Sequence, residues 1–315
     1  FDSVPQPTYK DKDLRKAVAL EKAKAQDETE VFANDSKKKI YMHWMDDVPM
    51  GEQLDDDGDP LESIEGCLTD AQYNRDEHRK AVIDDILDNW VSQSHNGKFH
   101  AILATSSIPE AIKYYKLFAQ RDCGLKTTAV FDPSDGNNES SIEKIDGIAQ
   151  MLEDYNSLFG TCFNISGYAS FKRDVCARLA QKTPYTAVEN EPSKCLDILI
   201  VVDQMLTGYD SKWLNTLYMD KFYKWSNIEM IIQAFSRTNR VFNDDKPHGI
   251  IRYYRRPYTM KNIIEYAFEQ YSGQKPYGIF VTKLIQNLEN MNAAFSDIND
   301  IFKIAGIPDF FKTSR

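Results

Sequence analysis

No stretch of the 315 residues approaches the roughly eighteen consecutive apolar positions that a membrane-spanning helix needs, so no segment reads as a span. Five cysteines (Cys67, Cys123, Cys162, Cys176 and Cys195) are widely spaced and form no C-x-x-C pair, which argues against both zinc binding and a disulfide framework. The opening FDSVPQPTYK has neither the charged nor the apolar region of a signal peptide, and the expected compartment is cytoplasmic. The phosphate-cradling string G-x-x-x-x-G-K-[ST] is absent too: the Gly97-Lys98 pair is followed by Phe99. No Asp…Glu-x-Lys nuclease constellation falls on strand-like segments, and no 20 to 50 residue repeat is visible. Together these absences exclude a chain that completes a nucleotide or nuclease site by itself.

Basic charge is also scarce, with a net charge of −10, but the deficit is local. From His43 to Glu77 twelve acids face the single Arg75, a local −11 that leaves the rest of the chain at +1. Overall acidity therefore does not exclude an anionic partner elsewhere on the chain. The acidic stretch is a poor calcium loop. With Gly58 as its central glycine, positions one and twelve are Gln53 and Ile64, and neither carries a carboxylate. A solvated loop is the expectation. Asp76-Glu77-His78-Arg79 imitates a Walker B box, yet it follows polar residues rather than a buried strand, so an exposed helix turn is expected.

What is present is concentrated in two segments. Ile198 to Val202 is an apolar, β-branched run suited to a strand buried on both faces of a parallel sheet. Thr207, Gly208, Tyr209 and Asp210 are then expected in the loop at its carboxyl end, where open α/β sheets bind ligands. A second strand is expected over Asn215 to Met219. The following helix is signalled by Ser226 and Glu229 as a capping box, with Ile228, Ile231, Ile232 and Phe235 on one face. On that helix Gln233, Arg237 and Arg240 are spaced to project from one side near the carboxyl end. Dipole compensation is the plain reading of such arginines. Against it stands a strip running to Lys261 that holds Lys246, Arg252, Arg255 and Arg256 among Tyr253, Tyr254 and Tyr258, a pattern suited to phosphate. Thr105, Ser106 and Ser107 end a predicted strand and cap a predicted helix, either as a position for a DNA phosphate or as an ordinary N-cap completed by Glu110.

TGYD followed by QAFSRTNR resembles motifs V and VI of superfamily-two helicases, and the longer LTGYDSKWLNTLYMDK with IIQAFSRTNR resembles the motor subunit of type I restriction enzymes. FHAILATSSIPEAIKYYKLF and YNSLFGTCF support the match, which covers roughly residues 85 to 256. The resemblance implies a motor of two RecA-like lobes, with ATP between them and double-stranded DNA across both. Arg240 would then be the arginine finger that reaches ATP on the other lobe, Arg237 its helper and Gln233 an orienting group at the lobe interface. Asp210 would accept from the nucleotide sugar, while Thr207 and Gly208 would lie between nucleotide and DNA. ATP and Mg2+ would be held mainly by a first lobe that, with a nuclease domain, precedes this part in the family. The remaining partners implied are methyltransferase and specificity subunits. The chain is accordingly expected to be a carboxyl-side fragment, inactive alone.

Strands alternating with helices from Phe99 to Tyr253 imply a doubly wound, parallel α/β sheet with helical flanks. The expected division is a helical and acidic linker region over 1–84, a RecA-like lobe over 85–257 and the start of a helical domain over 258–315. Two other readings stay open: a non-catalytic docking module on a RecA-like fold, and another superfamily-two helicase or remodeller.

Overall fold

The computed structural model describes residues 2–121, 123–131, 141–186, 191–202, 205–206, 209–242, 244–271 and short pieces between 291 and 303. Two compact units are present, Phe1–Ile264 and Glu265–Arg315. In the second, the described residues are the end of one helix and short helical pieces at 291–293, 295–296, 298 and 302–303. The helices expected over 272–290 lie outside the described residues.

The first unit is built on six strands: β1 (Asp2–Pro5), β2 (His100–Thr105), β3 (Thr127–Val130), β4 (Ile198–Val201), β5 (Leu214–Asp220) and β6 (Ile250–Tyr253). Their order is β1-β6-β5-β2-β4-β3, and every pairing is parallel. Every residue of β2, β4 and β5 is buried, as expected of central strands covered on both faces. The helices are α1 (Asp11–Lys22), α2 (Glu28–Phe32), α3 (Asp35–Asp46), α4 (Asp70–Tyr73), α5 (Asp76–Gln93), α6 (Ile108–Gln120), α7 (Ser141–Phe159), α8 (Tyr168–Leu179), α9 (Ile228–Ser236) and α10 (Pro257–Tyr271). The parallel α/β architecture read from the sequence is the one the chain adopts.

The first residues are not a detached linker strand but part of the sheet. Asp2 pairs with Ile250 and Pro5 with Tyr253, so β1 covers the outer edge of β6. Val18, Ala19, Val31, Tyr41, Trp44 and Ile64 form a separate apolar cluster among α1, α2, α3 and the segment after the acidic loop. That loop is exposed over most of Gln53–Glu62, as expected. Its continuation is not: Glu65 is buried, and its carboxylate accepts from the backbone amides of Tyr258 (3.0 Å) and Thr259 (2.6 Å) at the start of α10. A carboxylate there satisfies amides that have no partner within the helix.

Four sequence expectations are corrected by the fold. Asp76-Glu77-His78-Arg79 does open α5, but His78 and Arg79 are buried rather than exposed. Arg79 forms a two-pronged pair with Glu110 (2.7 and 2.8 Å), which draws the Glu110 carboxylate away from the expected capping box. The Ser226–Glu229 box does not form either. A 3-10 turn over Trp225–Asn227 comes first, Asn227 is the N-cap without a side-chain bond, and the Trp225 indole donates to Glu52 at 2.6 Å.

The basic strip is the fourth. Arg252 is buried against Asp85 (2.9 and 2.6 Å), with the Tyr254 hydroxyl on the same carboxylate. Arg255 is buried against Asp220, Arg256 donates to the Leu68 carbonyl, and Lys246 is fully buried. Most of the strip is thus spent holding the unit together and offers no phosphate-gripping surface.

Candidate functional site

Because β4 and β5 are parallel and flank β2, the segment between them must return from the carboxyl edge of the sheet to its amino edge. Among the described residues of 202–213 it does so without a helix. Asp210 therefore lies near the amino edge, not at the carboxyl end of β4 where ligands were expected. Tyr209 marks the place: it is buried, and its hydroxyl lies 3.1 Å from Nε2 of His100, the first residue of β2. Burial and then the nearby Lys246 charge push the His100 ring down to about 3, so at neutral pH it is uncharged and a ring nitrogen can accept from that hydroxyl. Thr207 and Gly208 lie outside the described residues.

The helix α9 runs from the carboxyl end of β5 back to this same edge. It stops at Ser236, with Arg237 as its C-cap, so Arg240 stands on the segment beyond the helix rather than on its face. The exposed Gln233 does lie on the helix. Arg237 braces the returning loop, donating from Nε to the Leu206 carbonyl (3.2 Å) and from Nη1 to the Tyr209 carbonyl (3.4 Å). Arg240 forms an ion pair with Asp210, and both side chains are about half exposed, at 59% and 48%. Three of the expected residues are thereby brought together: Arg237, Arg240 and Asp210. Tyr209 and Asp210 also line a cavity of about 740 Å³ whose other wall carries Lys172, Arg173, Cys176 and Lys182.

Thr105, Ser106 and Ser107 sit elsewhere. They follow the carboxyl end of β2, roughly 17 Å along the strand from its amino end at about 3.3 Å per residue. The Thr105 side chain is fully buried and donates to the Val201 carbonyl at 3.1 Å, which commits it inside the fold. Ser107 caps α6, accepting from the Glu110 amide at 3.4 Å. Ser106 and Ser107 are partly exposed.

Sequence reasoning missed Lys246 as part of the site, because it was counted among surface cations. Its ammonium donates to the carbonyls of Arg240 (2.7 Å) and Lys212 (3.3 Å). Burial and the Arg240 charge bring it down to about 8. No local signal marked it: Lys246 stands between Asp244-Asp245 and Pro247, a context that reads as a solvated turn.

Comparison with known proteins identifies relatives. The family described as type I restriction enzyme subunit R domain 3 matches residues 97–256, half of the chain. The chain belongs to this family. Relatives include the type I restriction enzyme SsaAORF53P endonuclease subunit of Staphylococcus saprophyticus, 32% identical over 213 residues, which are 65% of this chain and 22% of that one. The SauMRSORF196P endonuclease subunit of Staphylococcus aureus is 32% identical over 200 residues, 61% of this chain and 20% of its own. The HindI endonuclease subunit of Haemophilus influenzae is 42% identical over 60 residues, 19% of this chain and 5% of its own. The chain thus spans about a fifth of the length of the first two relatives. Among solved structures, the C-terminal part of the Fun30 ATPase domain aligns with 79% of this chain and 62% of that one, at 12% identity and a TM-score of 0.31, a score too low to bear on the fold. Among the described residues no helix is long and apolar enough to cross a membrane.

Proposed function

We propose that this chain is the second RecA-like lobe of an ATP-driven DNA translocase within a type I restriction enzyme, supplying an arginine finger to ATP held by a first lobe elsewhere in the parent protein. The observation that carries the reading is the meeting of Arg240 and Asp210 on the amino edge of the sheet, with Arg237 bracing the loop between them. A half-exposed ion pair is worth about 0–1 kcal/mol, so exchanging Asp210 for a phosphate oxygen costs the finger little. An arginine placed this way neutralises charge that develops on the transferred phosphoryl group, an effect of about a thousandfold or more. Once Arg240 has turned to the phosphate, Asp210 is free to accept from the nucleotide sugar. The exposed Gln233 orients groups across the lobe interface.

Magnesium needs several oxygen donors, and among the described residues that line this cavity Asp210 is the one carboxylate and is already paired. The residues present fit a γ-phosphate contact rather than a metal, which supports the reading that Mg2+ and most of the ATP contacts belong to the first lobe. Duplex DNA would meet the opposite edge, where the partly exposed Ser106 and Ser107 and the Ile108 amide stand at the start of α6. Nuclease, methyltransferase and specificity functions then belong to other parts of a cytoplasmic assembly, and this chain alone hydrolyses nothing. The test is Arg240→Ala in the parent protein. DNA-stimulated ATP hydrolysis is expected to fall about a thousandfold with nucleotide binding largely retained. Unchanged turnover would leave the chain a docking module instead.

A further inference from the structure

Beyond α9 the chain passes Thr238, whose buried hydroxyl donates to the Phe235 carbonyl at 3.0 Å, and then emerges at Asn239, Arg240 and Val241, all exposed. It returns in a turn closed by Phe242 and Lys246, whose backbones exchange two hydrogen bonds of 3.0 and 3.1 Å. Phe242 packs on Trp213 with ring centres 4.6 Å apart, so the arm of the turn that carries Arg240 is anchored beside the start of β5. Arg240 itself is fastened from the other arm. Its peptide carbonyl accepts from Lys246 Nζ at 2.7 Å, and the same ammonium reaches the Lys212 carbonyl at 3.3 Å, two residues from Asp210.

Lysine is a costly choice for this place. The side chain is fully buried, and among the described residues no carboxylate pairs with it, so its charge is desolvated against two carbonyl dipoles alone. Methionine would fill similar space without that cost. What methionine lacks is a donor that ties the two segments carrying Arg240 and Asp210 to one point. We propose that Lys246 is a positioning residue: its buried ammonium clamps the Arg240 and Lys212 carbonyls and so fixes the finger's backbone on the amino edge, facing Asp210. This rests on reading Arg240 as the finger.

The test uses the whole parent protein and its DNA-stimulated ATP hydrolysis, comparing Lys246→Met, Arg240→Ala and the double variant, with thermal unfolding as the control for folding. A small displacement of a reacting group can cost on the order of a hundredfold in rate. Lys246→Met is therefore expected to lower kcat about ten- to a hundredfold with KM for ATP within about twofold, and the double variant to be no slower than Arg240→Ala alone. A wild-type kcat in Lys246→Met, or losses that multiply in the double variant, overturns the proposal. A wild-type kcat in Arg240→Ala instead overturns the finger reading and the proposal with it. Should Lys246→Met not fold, Lys246→Gln keeps a donor in the same place. An intermediate kcat whose loss disappears in the Arg240→Ala background supports the clamp, and a loss that persists there overturns it.

Discussion

Asp220 closes β5 with no exposure to water and accepts from His78 (2.7 Å), the Tyr114 hydroxyl (2.9 Å) and two nitrogens of Arg255 (2.9 and 3.1 Å). Burial alone would raise its carboxyl, but the His78 bond and the His78 and Arg255 charges outweigh it and hold it near 2, below the ordinary 3.8. A carboxylate depressed in this way contributes stability that is fully present above its unfolded value and is lost as pH falls through the folded one. The window is therefore about pH 4 down to 2. Asp220→Asn leaves Arg255 buried without its counter-charge and is expected to lower the unfolding free energy by about 3–5 kcal/mol at pH 7. Urea titrations across that window should show the gap to wild type shrinking. A gap that stays constant would assign the loss to packing rather than charge. The contrast with Arg240 and Asp210 is one of solvent: the same pairing chemistry builds a structural anchor where it is dry and a releasable contact where it is half wet.

At the level of elements, the exit from α9 and the start of β6 are packed without slack. A Cβ at Gly249 would overlap the Cβ, Oγ1 and carbonyl of Thr238, so either β6 or the turn that carries Arg240 would have to move. Gly249→Ala is expected to cost about 1–3 kcal/mol in urea unfolding, as overpacking does, and an unchanged midpoint would mean that the junction yields easily. Much at this scale could be read from the chain. β4 is the continuous apolar run expected of it, and α5 opens at Asp76, where a helix turn was expected. β1 could not be read, because DSVP offers one β-branched residue beside a proline, and its pairing is set by the edge that β6 leaves open. The site was half legible. The resemblance to helicase motifs V and VI implied that Arg237, Arg240 and Asp210 serve one nucleotide, but neither the loop's return to the amino edge nor the burial of Lys246, Arg252 and Arg255 has a local signature. Charge patterning along a sequence cannot separate a cation facing solvent from one facing a distant carboxylate such as Asp85.

For the whole molecule, the segment before residue 97 is bound into the lobe by charge as well as by strand pairing. Without it, Arg252 would lose Asp85, Glu110 would lose Arg79, Asp220 would lose His78, and β6 would present an open edge. The loss of α5 also removes the buried Val82, Ile83 and Ile86, each worth about 1.5–3 kcal/mol of apolar burial, while total stability for a domain is about 5–15 kcal/mol. A chain trimmed to residues 97–256, the stretch that carries the family match, is therefore expected to have no cooperative transition in urea and to aggregate through its β6 edge. Residues 1–264 are expected to give a single transition, coincident by tryptophan fluorescence and far-UV circular dichroism. Equal midpoints for the two pieces would show that the early segment only decorates the lobe. A cooperative loss in the trimmed piece would make it part of the frame that holds Arg240 and Asp210 together.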